Sequence, residues 1–425
     1  MYKNIIAIIM VLVSLQASAG EFSSVMDEAV SGDAKAQYYL GTMYHDGKDT
    51  PQNYKEALKW YTKAAEQGHA DAQYNLGHMY YTGEGTLQNY KEALRWYTKA
   101  AEQGEADAQY NLGFMYSSEQ GTPQNFKEAL RWYTKAAEQG EADAQHNVGV
   151  MYGYGVGTQK SYKESFKWFT LAAERGHDRS QYSLAHMYAK GVGTSQNYKE
   201  ALKWYTNTAE QGNAAAQFAL ARMYGKGEGT PQNYKETLKW FTKAAEQGDA
   251  DAQYNVGFLY HTGEGTPQNY KEALKWYTKA AEQGDSLAQG GLGYLYGNGK
   301  GTPRNYKEAL KWYTKSAEQG EAKAQYSLGI MYSNGNGTPQ NYKEALKWYG
   351  LAAKQGYSNA QYNMGRMYYY GEGTPKNYMY AYAWTACSAA SGKKLALTNR
   401  DIMADQLDPQ SLVKAKALAQ TFCAE

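Results

Sequence analysis

Apolar positions in this chain recur on a fixed beat. In residues 69–104, Ala72, Leu76, Met79 and Tyr80 fall at helical spacing and predict a first helix over roughly Ala70–Thr82. Gly83 and Gly85 stop it, because glycine reaches the left-handed backbone that a helix end and a tight turn require. In residues 33–68 a second helix begins after Asn53, a good N-cap, with Glu56 three residues later in the manner of a capping box. Its predicted buried face is Ala57, Trp60, Tyr61, Ala64 and Ala65, and Gly68 closes it.

This two-helix pattern occurs ten times without insertion or deletion from Asp33 to Gly392, each copy 36 residues long. All ten tryptophans mark the same position, from Trp60 and Trp96 to Trp384. A period of this length signals a stacked repeat architecture. Short loops force the two helices antiparallel, and neither can bury its apolar face alone, so each repeat finds its core by stacking on its neighbours. The expected fold is all-α. Residues 20–32 read as a capping half-unit with Phe22, Val25, Met26 and Ala29 on one face. Residues 393–425 abandon the period and predict one capping helix, Pro409–Phe422, introduced by Asp408.

The first 19 residues are different material. Lys3, the apolar run Ile5–Leu15 and the small residues Ala17-Ser18-Ala19 read as a cleaved secretory signal peptide. The apolar run is well short of the ~20 residues needed to span a bilayer. The expected location is periplasmic or secreted. Formal net charge is +2, with acidic and basic residues interleaved in every repeat. That distribution lacks the basic stripe of a nucleic-acid binder. The only cysteines are Cys387 and Cys423, candidates for a disulfide in an oxidising compartment.

The pattern A-x-A-Q-Y-x-L-G-x-M-Y-x-x-G-x-G-T-P-Q-N-Y-x-x-A-L-x-W-Y-x-x-A-A-E-Q-G resembles the Sel1-like repeat, a relative of the tetratricopeptide repeat, over nearly the whole chain after the leader. The resemblance implies a right-handed α-solenoid acting as an adaptor for protein complexes. One branch of that family, rich in cysteine, is linked to penicillin binding and β-lactam hydrolysis. It staples each repeat with a cysteine pair, and residues 33–368 contain no cysteine, so the activity is not carried over.

No catalytic constellation stands out, and no cofactor or metal is expected. The seven histidines form no i, i+4 pair or compact cluster in sequence, and the Gly-x-Gly-Thr loops lack the strand and lysine of a phosphate cradle. The informative signal is variation among the ten copies. Positions 71, 75, 78 and 82 of the second repeat, and their equivalents, lie on one face of the first helix and vary. The equivalents of position 78 include His78, Phe114, His186, Arg222, Phe258, Tyr294, Ile330 and Arg366. This stripe is the candidate binding face for a protein or peptide partner, since aromatic and arginine residues are favoured at interface hot spots. Two other readings are a cell-envelope enzyme of the cysteine-rich branch and a binder of peptidoglycan or polysaccharide through exposed tyrosines. Most tyrosines sit at the invariant positions of Tyr54, Tyr61, Tyr74 and Tyr80, where packing is the expected role.

Overall fold

The computed structural model describes residues 22–424, and every regular element among them is a helix. The leader assigned to residues 1–19 lies outside the described residues. The chain divides into two compact units, the boundary falling between Thr208 and Ala209. The first unit holds a helix over residues 22–31 and then the paired helices of the first five repeats, beginning with Ala34–Asp46 and Tyr54–Glu66. The second holds five repeats, from Ala214–Lys226 and Tyr234–Glu246 to Ser358–Tyr370 and Tyr378–Ala390, followed by two tail helices.

Local chemistry sets the helix ends. Asn53 Oδ1 accepts from the backbone N–H groups of Lys55 and Glu56, and the Asn53 N–H donates to Tyr44 O at 2.8 Å. Glu56 therefore does not complete a capping box, because the N–H it would accept from is already used. It turns outward to Lys59 at 3.1 Å.

The two loop glycines have different jobs. Gly83 ends the first helix with φ 86°, and a Cβ there would press on Gln88 at 3.2 Å. Gly85, with φ 70°, packs on the Tyr54 carbonyl of the preceding repeat, where a Cβ would collide with backbone. Natural exceptions fit this division. Glu119 replaces the first glycine at φ 60°, and its first helix, Ala106–Ser117, ends one residue early. Asp49 replaces the second at φ 59° in the first repeat, where the counterpart of Tyr54 is residue 18, outside the described residues.

The core is a series of clusters, each shared between neighbours. Ala57, Tyr61, Ala64 and Ala65 of one second helix meet Ala72, Leu76 and Met79 of the next first helix, with Trp96 closing the cluster. Gly77 lets the two helices of its repeat approach closely, since a Cβ there would lie 2.8 Å from the Tyr97 ring. Buried glutamines stitch the seam. Gln73 donates to Ala65 O at 3.0 Å and accepts from Gln103 at 2.7 Å, so a polar group in the core is satisfied from both sides. The constant outer face of the second helices also has physical content. Lys59 and Lys63 lie 5.6 and 4.2 Å from the centre of the Trp60 ring, cation–π contacts worth about 0.5–1 kcal/mol each at exposed sites.

At the ends, residues 22–31 bury Ala29 against Ala36, Leu40 and Trp60, with Phe22, Val25 and Met26 packed around them. The tail departs from the expectation of one helix: Lys394–Ala404 precedes Pro409–Ala424. The extra helix buries only Ala396 and Met403, too sparse an apolar pattern to read from sequence. Lys394 stands 36 residues after Ser358, so this helix occupies the first-helix place of an eleventh repeat. Cys387 and Cys423 are joined by a disulfide, fastening the last helix to the tenth repeat.

Candidate functional site

The variable face lies on the first helices, next to residues that stacking fixes. Ala72, Gln73, Leu76, Gly77 and Met79 are buried, while Asp71 and Thr82 are exposed and Asn75 and His78 half-buried. In the first unit, Phe114 is 39% exposed, His186 is exposed, and His78 lies parallel to Tyr74 at 6.5 Å. Burial, then Lys190, lowers the pKa of His186.

In the second unit, Arg222 is exposed and Phe258 is 40% exposed. Tyr294, half-buried, stacks on His261 at 5.3 Å and lies under Lys300. Ile330 is drawn into the hydrophobic cluster of the ninth and tenth repeats, and Arg366 is paired with Glu372 at 3.2 Å. The stripe thus offers partly exposed rings at Phe114 and at Phe258, the latter 6.3 Å from the Tyr254 ring, while Ile330 is packed in a core cluster and Arg366 is ion-paired within the chain.

The recurrent tyrosines pack rather than present a platform. Tyr61 is buried, and Tyr54, Tyr74 and Tyr80 are half-buried in the clusters. Two arrangements were not legible in the sequence. The first gathers His146, His177 and Asp143. The imidazoles stack at 4.5 Å, and His177 Nε2 lies 3.1 Å from Asp143 Oδ1. Histidines 31 residues apart meet because each sits at a seam between repeats. Among the described residues, no group of three or more His, Cys, Asp or Glu is arranged to hold a metal ion.

The second arrangement is a cleft of about 400 Å³ on the first helices of the seventh to ninth repeats, Ala250–Thr262, Ser286–Asn298 and Ala322–Asn334. It is lined by the rings of Tyr254, Phe258, Tyr277, Tyr294 and Tyr313, with Gly290, Gly291, Ser316 and Ser327 between them. Phe258 and Tyr294 of the stripe therefore belong to a concave feature, which Phe258 also shares with a shallower depression beside Arg222. The signal was available: Gly290-Gly291 stands where the second repeat has Tyr74-Asn75.

Paired antiparallel helices in a constant 36-residue register, joined across seams by shared clusters, define an α-helical repeat protein. The sequence matches the Sel1 repeat ten times in succession, over residues 34–69, 70–105, 106–141, 142–177, 178–213, 214–249, 250–285, 286–321, 322–357 and 358–393. The chain belongs to the Sel1 repeat family. Such proteins are in general non-catalytic scaffolds that mediate protein–protein interaction. The fold is similar to that of a protective antigen present in uropathogenic Escherichia coli strains, at 35% identity, 94% coverage of both chains and a TM-score of 0.70. A Sel1 repeat protein from Oxalobacter formigenes is 31% identical over 75% of this chain and 93% of its own, with a TM-score of 0.56. A putative sel1-like repeat-containing protein of Acanthamoeba polyphaga mimivirus is 51% identical over 39 residues, which is 9% of this chain and 7% of that protein.

Proposed function

We propose that this protein is an exported scaffold that holds a protein partner on the variable faces of its first helices. The observation that carries the reading is the contrast within one helix. Stacking positions such as those of Leu76 and Ala72 stay buried in every repeat and accept only close substitutes (Val148, Val256 and Met364 for leucine, Ser180 for alanine), while the adjacent stripe changes freely from repeat to repeat and leaves Phe114 and Phe258 exposed to solvent. An exposed ring on a rigid helix loses little entropy on docking, which is why aromatic residues anchor interfaces. Export is supported by the leader pattern ending at Ala19 and by the Cys387–Cys423 disulfide, a bond that persists outside the reducing cytosol. The similar Escherichia coli protein is described as a protective antigen, which is consistent with an exported chain.

The test is capture from a cell-envelope extract with two baits, residues 20–425 and the same chain carrying Phe114→Ser, Phe258→Ser and Arg222→Ser. Ile330 is left intact because its side chain supports a core cluster. A partner retained by the first bait and lost by the second, with equal circular dichroism, is the expected outcome. A partner held equally by both would move the site off this face.

A further inference from the structure

Nine of the ten first helices carry a ring at the position of Tyr74: Tyr in seven repeats, His146 and Phe218 in the others. In eight of them this ring packs on the inner aromatic residue of the second helix in the same repeat, with centroids 5.2–6.0 Å apart. That inner residue is then buried, 1–7% exposed from Tyr61 to Tyr349. The eighth repeat breaks the series. Gly290 stands in the ring position, and its inner aromatic, Tyr313, is only half-buried and faces the cleft. Among the described residues, Tyr313 makes no ring contact. The neighbouring repeats do not close the gap, although Tyr277 leans toward Gly291, where a Cβ would come within 2.9 Å of its ring.

We propose that this cleft receives a tyrosine side chain from an extended segment of the protein partner. The occupant follows from what the fold places there elsewhere. The slot has the shape of a phenol ring because eight other repeats fill it with a ring of their own. The ring of Tyr313 is the wall that the incoming ring packs on, as Tyr97 is for Tyr74 at an interplanar angle of 40°.

The hydroxyl also has a partner. The phenols of Tyr38 and Tyr61 both lie beside Asn75 of the following repeat, and the equivalent of Asn75 in the ninth repeat is Ser327, which lies beside the Tyr313 phenol and lines the cleft. A second phenol at this site completes the pair. The rim carries charges of both signs, Glu321, held by Ser286 at 2.8 Å, and Lys323, suited to the polar backbone of a peptide. The cleft volume lies within the ~300–1,000 Å³ typical of ligand pockets.

The inference rests on the scaffold reading, but its test needs no partner protein, so failure here leaves the envelope-extract experiment standing, and the reverse. The full chain is titrated with N-acetyl-tyrosinamide and, as the aliphatic control, N-acetyl-leucinamide, followed by saturation-transfer NMR. Saturable binding of the tyrosinamide with a Kd on the order of 1 mM is expected for so small a ligand, with the leucinamide at least tenfold weaker. Gly290→Tyr, which restores the residue of the other repeats, is expected to abolish binding while keeping the helical spectrum. Tyr313→Leu removes the wall without filling the slot and is expected to weaken the tyrosinamide at least fivefold, leaving the leucinamide unchanged. No saturation, equal binding of the two probes, or unchanged tyrosinamide binding in either variant would overturn the proposal.

Discussion

The Oε1 of Gln145 is buried without a hydrogen-bond donor because Arg175 occupies the place from which Gln139 reaches Gln109, one repeat earlier, at 2.9 Å. The same glutamine pair recurs in seven repeats, including Gln283 with Gln253 and Gln355 with Gln325. Arg175 instead lies against Gly140, and its guanidinium leaves the acceptor unmet. Ser391, too short to reach, leaves Gln361 Oε1 in the same state.

Restoring the donor is expected to stabilise the protein. A buried acceptor left unpaired costs about 1–3 kcal/mol, and a made bond returns about 1. Arg175→Gln is expected to raise the unfolding free energy by about 1 kcal/mol in urea titration. An unchanged or lower midpoint would mean that the orphaned acceptor costs nothing.

The two glycines of one loop separate backbone strain from contact between repeats. Gly191 and Gly193 share nearly the same positive φ, 68° and 72°, so alanine at either carries the left-handed penalty of about 1–2 kcal/mol. Only at Gly193 would the new Cβ also run into the Tyr162 carbonyl of the preceding repeat. Gly193→Ala is therefore expected to cost at least 1 kcal/mol more than Gly191→Ala by thermal or chemical denaturation. Equal costs would remove the seam contact as the reason for that glycine.

The disulfide closes a loop with a sequence separation of 36, which in the chain-entropy model is worth roughly 3–4 kcal/mol. In a repeat stack that stabilisation is local, because each repeat contacts only its neighbours. Reduction is expected to increase amide exchange in Pro409–Ala424 and the tenth repeat, leaving the first unit unchanged. Uniform protection after reduction would count against this.

His146 supplies a pH signature. Burial first, then His177 and Arg179, lowers its pKa to about 4, with Asp143 opposing. The unfolded chain titrates near the ordinary value of about 6.5. Between those two values the unfolded state binds the proton and the folded state does not, so this contribution to stability is intact above about 6.5 and lost as pH falls toward 4. His146→Tyr, the residue of seven other repeats, is expected to narrow the difference in Tm between pH 7.5 and pH 5. An undiminished difference would place the acid sensitivity elsewhere.

What the sequence determined by itself was whatever one repeat contains. Periodicity located Ala70–Thr82; Asn53 marked the start of Tyr54–Glu66; and the buried face from Ala57 to Ala65 followed from spacing of three and four. These depend on neighbours a turn or two away, and ten copies repeat the evidence. The tertiary structure decided everything that depends on which residue of one repeat meets which residue of the next. The orphaned Gln145, the His146–His177 stack and the cleft beside Tyr313 all depend on residues about 16–36 positions apart. An odd residue such as Gly290 reads as harmless variation until the pairing of the two helices of its repeat places the half-buried ring of Tyr313 beside it and the neighbouring repeats leave the gap open.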